Sequence, residues 1–163
     1  KDILLVVDEV QTGNGRTGKL YSYMHYGILP DVVTTAKGLG GGLPIGACIM
    51  GEKVEKTLSF GDHGSTYGGN PVACAGALTV VNRVDEALMK EVTEKGEFIR
   101  HSLNGAKGVK SIAGMGLMLG IEIEGDAKQV VAECIKRGVL VISAKTKNEP
   151  VQRLFRMVES NAL

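Results

Sequence analysis

The sequence predicts an α/β fold, the later part of a mostly parallel sheet flanked by helices, followed by a smaller α+β unit. Three observations carry this expectation. Ile3-Leu4-Leu5-Val6-Val7 is an uninterrupted apolar run that stops on Asp8, the pattern of a strand buried on both faces as in helix-covered parallel sheets. Val32-Val33-Thr34-Thr35 is a second β-prone run, and it leads to Lys37 and then Gly38, Gly40, Gly41 and Gly42. From about residue 85 the texture changes to amphipathic segments, with Leu119, Ile121 and Ile123 alternating with Gly120, Glu122 and Glu124, a strand wet on one side. The first domain is accordingly placed at residues 1–88 and the second at 89–163.

Each element follows from local signals. Gln11 to Gly18 holds three glycines in six residues (Gly13, Gly15, Gly18), a loop requiring unusual backbone angles or close approach to a ligand. Arg16 within it reads first as a side chain pinning the loop through carbonyl groups and second as a substrate contact. Leu20 to Tyr26 is a short helix ended by Gly27, and Leu29-Pro30-Asp31 turns the chain into the second strand. Gly38 to Pro44 is a flexible connection, Ile45 to Met50 the third strand, and Glu52 to Leu58 a short amphipathic helix. Asn70 followed by Pro71 is a cap and a first-turn proline, so a helix begins there and runs towards Val84.

In the second half, Val92, Gly96, Ile99 and Leu103 line one face of a helix. Ala127, Val130, Val131, Cys134 and Ile135 form another helical face, with Asp126 as cap and Gly138 as stop. Val139 to Ile142 is a strand, and Lys145 to Leu163 shows no clear period.

Composition narrows the function. With 19 basic and 18 acidic residues the net charge is +1, so no field exists to gather nucleic acid or an anionic membrane. No apolar stretch approaches the roughly 20 residues of a spanning helix. Cys48, Cys74 and Cys134 are few, odd in number and far apart, which suits reduced thiols of a cytoplasmic protein better than a disulfide frame. His25, His63 and His101 are equally scattered and give no metal motif. Lys1-Asp2 runs straight into the first apolar segment, so the chain reads as part of something longer.

The chemistry is suggested by Asp8 and Lys37. Ligands of open α/β sheets sit at the carboxyl ends of the strands, so an acid and an amine there point to covalent lysine chemistry with a carboxylate tuning an electron sink. The competing readings are a solvated lysine and an aspartate that caps a helix. Nucleotide binding by the 13–18 loop is weaker, because no helix start follows to receive a pyrophosphate and no P-loop lysine pattern occurs.

Four linked motifs, Asp8-Glu9-Val10-Gln11-Thr12-Gly13, Gly15-Arg16-Thr17-Gly18, Ala36-Lys37-Gly38-Leu39-Gly40-Gly41-Gly42 and His63-Gly64-Ser65-Thr66-Tyr67-Gly68-Gly69-Asn70-Pro71, resemble the signature of class III pyridoxal-phosphate-dependent aminotransferases. Tyr21 to Gly27 with Pro30-Asp31 is most similar to the members acting on N-acetylornithine in arginine biosynthesis. The resemblance is strong over residues 3 to 81 and continues more faintly to about 144. It implies the fold-type-I transferase architecture and a homodimer with a shared active site. It also implies pyridoxal 5'-phosphate held by Lys37 as a Schiff base, and transfer of a terminal amino group from a small-molecule donor to 2-oxoglutarate.

The same resemblance implies that Lys37 is the catalytic base, that Asp8 pairs with the protonated ring nitrogen, that Val10 packs on one ring face and that Gln11 bonds the ring hydroxyl. Glu9 falls within the same cofactor-binding motif. Thr66 would bind the phosphate of the partner subunit's cofactor, and Ser65 would touch substrate. Without the resemblance, Ser65 and Thr66 read as a hydroxyl-rich turn. Arg153 stands near the place of a substrate-carboxylate arginine, although the paired prolines that follow that arginine in the family are missing after Pro150. A first phosphate loop, a stacking aromatic residue and another carboxylate-binding arginine would precede Lys1. Sister activities on ornithine, succinylornithine or 4-aminobutyrate, and a non-catalytic module on the same fold, are the alternatives.

Overall fold

The computed structural model describes residues 2–146 and 149–156, with side chains described through residue 144. The chain divides into two compact units, Lys1–Met89 and Lys90–Leu163.

The first unit contains strands β1 (Val6–Asp8), β2 (Val32–Thr35) and β3 (Ala47–Met50) in the order β1-β2-β3. Strands β1 and β2 are parallel with Asp8 opposite Thr34, and β3 returns antiparallel with Cys48 opposite Thr34. Val33 and Thr35 are buried on one face of β2. Helix α1 (Pro71–Arg83) starts as its sequence demands: the Asn70 side chain accepts from the backbone N–H of Val72 at 3.0 Å and of Ala73 at 3.2 Å. These two donors have no partner inside the helix. Asn70→Ala should therefore cost about 1 kcal/mol, read as a shift in the urea midpoint. The helix lies against a 3-10 turn at Lys37–Gly40. A methyl group on Gly76 would sit 2.9 Å from the Gly40 carbonyl oxygen, so the missing side chain sets that approach.

The second unit is a four-stranded antiparallel sheet of β4 (Val109–Met115), β5 (Met118–Ile123), β6 (Ile142–Thr146) and β7 (Glu149–Arg156), in the order β4-β5-β7-β6. Helices α2 (Glu86–Leu103) and α3 (Ala127–Lys136) accompany it. Alternation in β5 buries Leu119, Ile121 and Ile123. Leu119 packs with Ile99 and Leu117, while Ile121 and Ile123 pack with Ala127. Covering Leu119 alone, 1% exposed, contributes roughly 2 kcal/mol. Asp126 caps α3 by accepting from the Lys128 N–H at 2.9 Å. Arg100 of α2 donates to the Ile112 and Gly114 carbonyls of β4 at 3.0 and 2.7 Å, tying the helix to an edge strand.

Several expectations are corrected. The 3–7 run is not a strand buried on both faces: β1 begins only at Val6, and Ile3, Leu4, Leu5 and Val6 are 41–69% exposed. Among the described residues its strand pairs with β2 alone, and Val7 is half-buried. Residues 52–58 form turns closed by bonds such as Val54 N–H to Gly51 O, since so short a segment gains too little to nucleate an α-helix. Leu20–Tyr26 narrows to a 3-10 helix at Ser22–Tyr26, ended by Gly27. The 38–44 connection begins as the ordered turn at Lys37–Gly40. The strand expected at 139–142 starts at Ile142, and β4 and β7 had no counterpart in the sequence reading.

Candidate active site

The parallel pairing of β1 and β2 brings two strand ends to one edge of the sheet. The Glu9 N–H donates to the Thr34 carbonyl at 2.8 Å and prolongs the pairing past Asp8. Successive residues of an extended segment point to opposite sides, and this separates three neighbours. Asp8 is exposed, Val10 is half-buried and Glu9 between them is fully buried. The Asp8 carboxylate accepts from the Val10 N–H at 2.9 Å, which fixes its orientation and leaves its other oxygen available to a ligand.

Lys37 lies three residues beyond Thr34 and is exposed. Its amine donates to the Gln11 side-chain carbonyl, so two of the expected site residues meet directly. Its backbone has φ 49°, a left-handed conformation that costs a residue with a side chain about 1–2 kcal/mol. The Leu39 N–H, donating to the Ala36 carbonyl at 3.1 Å, closes the turn that enforces it.

Glu9, expected among the cofactor-binding residues, is placed differently. Its carboxylate accepts from the Ser22 hydroxyl at 2.6 Å, the Tyr23 N–H at 2.9 Å and the Thr12 hydroxyl. These bonds fasten the glycine-rich loop to the turn at 22–26. Burial pushes its pKa up, but the hydroxyl donors of Ser22 and Thr12 and the backbone of Ser22 and Tyr23 outweigh that, holding the carboxyl below its ordinary range. A depressed folded-state pKa gives stability that is fully present above about pH 4.5 and lost as pH falls through the lower folded value. Glu9→Gln should cost about 2 kcal/mol near pH 7. Unfolding curves of both proteins should converge as the pH drops below the glutamate range.

The remaining residues form a separate feature. A cleft of about 370 Å³ is lined by Pro44, Ile45 and Gly46, by Ser65 and Tyr67 to Asn70, and by Ala73. Ser65 thus faces a cavity that begins a few residues after the lysine turn. Thr66 is exposed and does not line the cleft. Arg153 belongs to β7, where its backbone pairs with Glu122 and Ala144; its side chain lies outside the described residues. Asn14, whose amide donates to the Ala36 carbonyl at 3.1 Å, was missed in the sequence; the signal was an asparagine between two glycines, a type that tolerates left-handed backbone.

Comparison with known proteins identifies the family. The model of the family "Aminotransferase class-III" matches residues 1–159, and the chain belongs to that family. It is 50% identical over 149 residues to an acetylornithine aminotransferase of Haemophilus ducreyi, covering 90% of this chain and 38% of that protein. It is 47% identical over 141 residues to that of Aquifex aeolicus, covering 86% and 37%. Among solved structures, an ornithine aminotransferase from Plasmodium yoelii matches with TM-score 0.81 and 31% identity over 95% of this chain and 43% of its own. An N-acetylornithine aminotransferase from Stenotrophomonas maltophilia matches with TM-score 0.79 and 32% identity over 94% and 41%. The architecture is therefore that of a fold-type-I aminotransferase, of which this chain spans less than half the length of the relatives it matches.

Proposed function

We propose that this chain carries the lysine-bearing part of an aminotransferase that moves the terminal amino group of N-acetylornithine to 2-oxoglutarate, using pyridoxal 5'-phosphate. The observation that carries the reading is the amine of Lys37 bonded to Gln11 at the carboxyl ends of two parallel strands, in a chain whose relatives named acetylornithine aminotransferase reach 50% identity.

The donor set suits the cofactor. An amine can bind its aldehyde, a carboxylate can hold a protonated ring nitrogen, and a side-chain amide can bond the ring hydroxyl. When bound, pyridoxal phosphate supplies an electron sink for a carbanion at the substrate carbon. Lys37 Nζ would hold the cofactor and, once free, would carry the proton to and from the reacting carbon. Asp8, its carboxyl oriented by the Val10 N–H, would keep the ring nitrogen protonated. Val10 offers an apolar contact to one ring face. Gln11 draws the lysine amine towards the Asp8 strand.

Ser65 in the cleft would meet the substrate. Thr66, exposed and without a hydrogen-bond partner among the described residues, would bind phosphate on a second copy of the protein, which makes the homodimer the working unit. Substrate-carboxylate binding by Arg153, a cytoplasmic location and a place in arginine biosynthesis belong to the same proposal. Among the described residues no helix is long and apolar enough to cross a membrane.

Incubating the complete protein with N-acetylornithine, ornithine, succinylornithine or 4-aminobutyrate, each with 2-oxoglutarate, tests the reading. Glutamate should form fastest from N-acetylornithine. Faster turnover of a sister amine would replace the donor, and no turnover of any amine would favour a non-catalytic module.

A further inference from the structure

We infer that Asn14 is a positioning residue for Lys37: its side-chain amide clamps the peptide that joins Ala36 to the lysine and so holds the amine in reach of Gln11. The inference rests on the reading of Lys37 as the reactive lysine, but the geometry beneath it stands separately.

The Ala36 carbonyl accepts two hydrogen bonds, from Leu39 N–H at 3.1 Å within the turn and from Asn14 Nδ2 at 3.1 Å across it. A carbonyl oxygen has two lone pairs, so both are engaged and the plane of the Ala36–Lys37 peptide is fixed. The same Nδ2 reaches Thr35 Oγ1 at 3.4 Å, and the Asn14 Cβ would touch a methyl group on Gly38 at 3.9 Å. Asn14 therefore bonds the two residues that precede Lys37 and lies near Gly38, which follows it. Gln11, from the same loop, takes the other end of the lysine.

The chemistry of the clamp is specific to an amide. A carbonyl can only accept, so the NH2 of Asn14 must face Ala36, and Oδ1 is then left buried with no partner among the described residues. A buried acceptor without a donor is costly. Asn14 also has φ 55°, which glycine would adopt freely. Loop geometry alone would be better served by glycine, as at neighbouring Gly15 with φ 81°; the side chain matters for what its nitrogen holds. The held residue, Lys37, is itself in a left-handed conformation, and strained backbone persists only where its surroundings over-determine it.

The test uses the complete protein with Asn14→Gly, which keeps the backbone angle and deletes the donor, and Asn14→Asp, which keeps the shape and replaces the donor by an acceptor. Two quantities are read: kcat and KM with the cofactor bound, and, in the cofactor-free protein, the rate at which trinitrobenzenesulfonate labels Lys37 at several pH values, measured by peptide mass spectrometry. Both variants should lower kcat about tenfold or more with KM changed less than about twofold, because a misplaced reacting group costs rate more than binding. Labelling of Lys37 should change about threefold or more at each pH, while labelling of the other lysines stays as in the parent protein. Unchanged Lys37 labelling in Asn14→Gly would overturn the inference, whatever happens to kcat. A change in labelling with no aminotransferase activity in the parent would support the clamp and overturn the functional reading instead.

Discussion

Alanine in place of Lys37 should lower kcat of the complete enzyme by about three to four orders of magnitude, because one side chain is asked to serve as nucleophile and as proton carrier. Steady-state transfer from N-acetylornithine to 2-oxoglutarate measures it. Stability should barely change, since the side chain is exposed and its one hydrogen bond goes to the equally exposed Gln11. Lys37→Arg sharpens the test. It keeps the positive charge and a donor for Gln11, but a guanidinium does not deprotonate in proteins and cannot attack an aldehyde. Equal inactivity of both variants would show that the free amine, not the charge, is what the site needs. Activity retained in Lys37→Arg would remove the lysine from the chemistry.

The second large effect concerns folding. Gly96→Ala should destabilise the protein by about 3 kcal/mol, towards the severe end for overpacking. A Cβ at this position of α2 would collide with the Gly116 carbonyl oxygen and lie 2.7 Å from its carbon. Both are backbone atoms of the turn between β4 and β5, which has no rotamer with which to move aside. Alanine's helix propensity, worth about 1 kcal/mol over glycine, opposes the loss but does not cancel it. The helix must lift, and Ile99, packed one turn away on Leu117 and Leu119, lifts with it. Chemical denaturation of the variant measures the loss. Ser102→Ala, at an exposed position of the same helix, should stay within about 0.5 kcal/mol of the parent.

Local signals in the sequence were reliable where the physics is local. Asn70-Pro71 and Asp126 announced two helix starts, and both side chains cap as expected. The alternation of Leu119, Ile121 and Ile123 gave the buried face of β5. Elements that depend on distant partners were not legible. Val109–Met115 breaks alternation at a bulge and contains Lys110, Ser111 and Gly114, so only its pairing with β5 makes it a strand. The apolar run before Asp8 reads as buried, yet burial is decided by what packs on it, and among the described residues β1 pairs with β2 alone. In the site, an acid and an amine at two neighbouring strand ends could be anticipated from parallel strands; the bond from Lys37 to Gln11 could not. The inward turn of Glu9 could not, because its partners Ser22 and Tyr23 lie 13 and 14 residues away, and no pattern in the sequence links them.

The central claim is that Lys37 is the residue that holds the cofactor. The most direct measurement is reduction of the complete, cofactor-loaded protein with borohydride, followed by proteolysis and mass spectrometry of the labelled peptide. The expected result is one pyridoxyl group per chain, on Lys37 in the peptide containing Thr34-Thr35-Ala36-Lys37-Gly38. A label on any other lysine, or no label on a protein that still transfers amino groups, would contradict it.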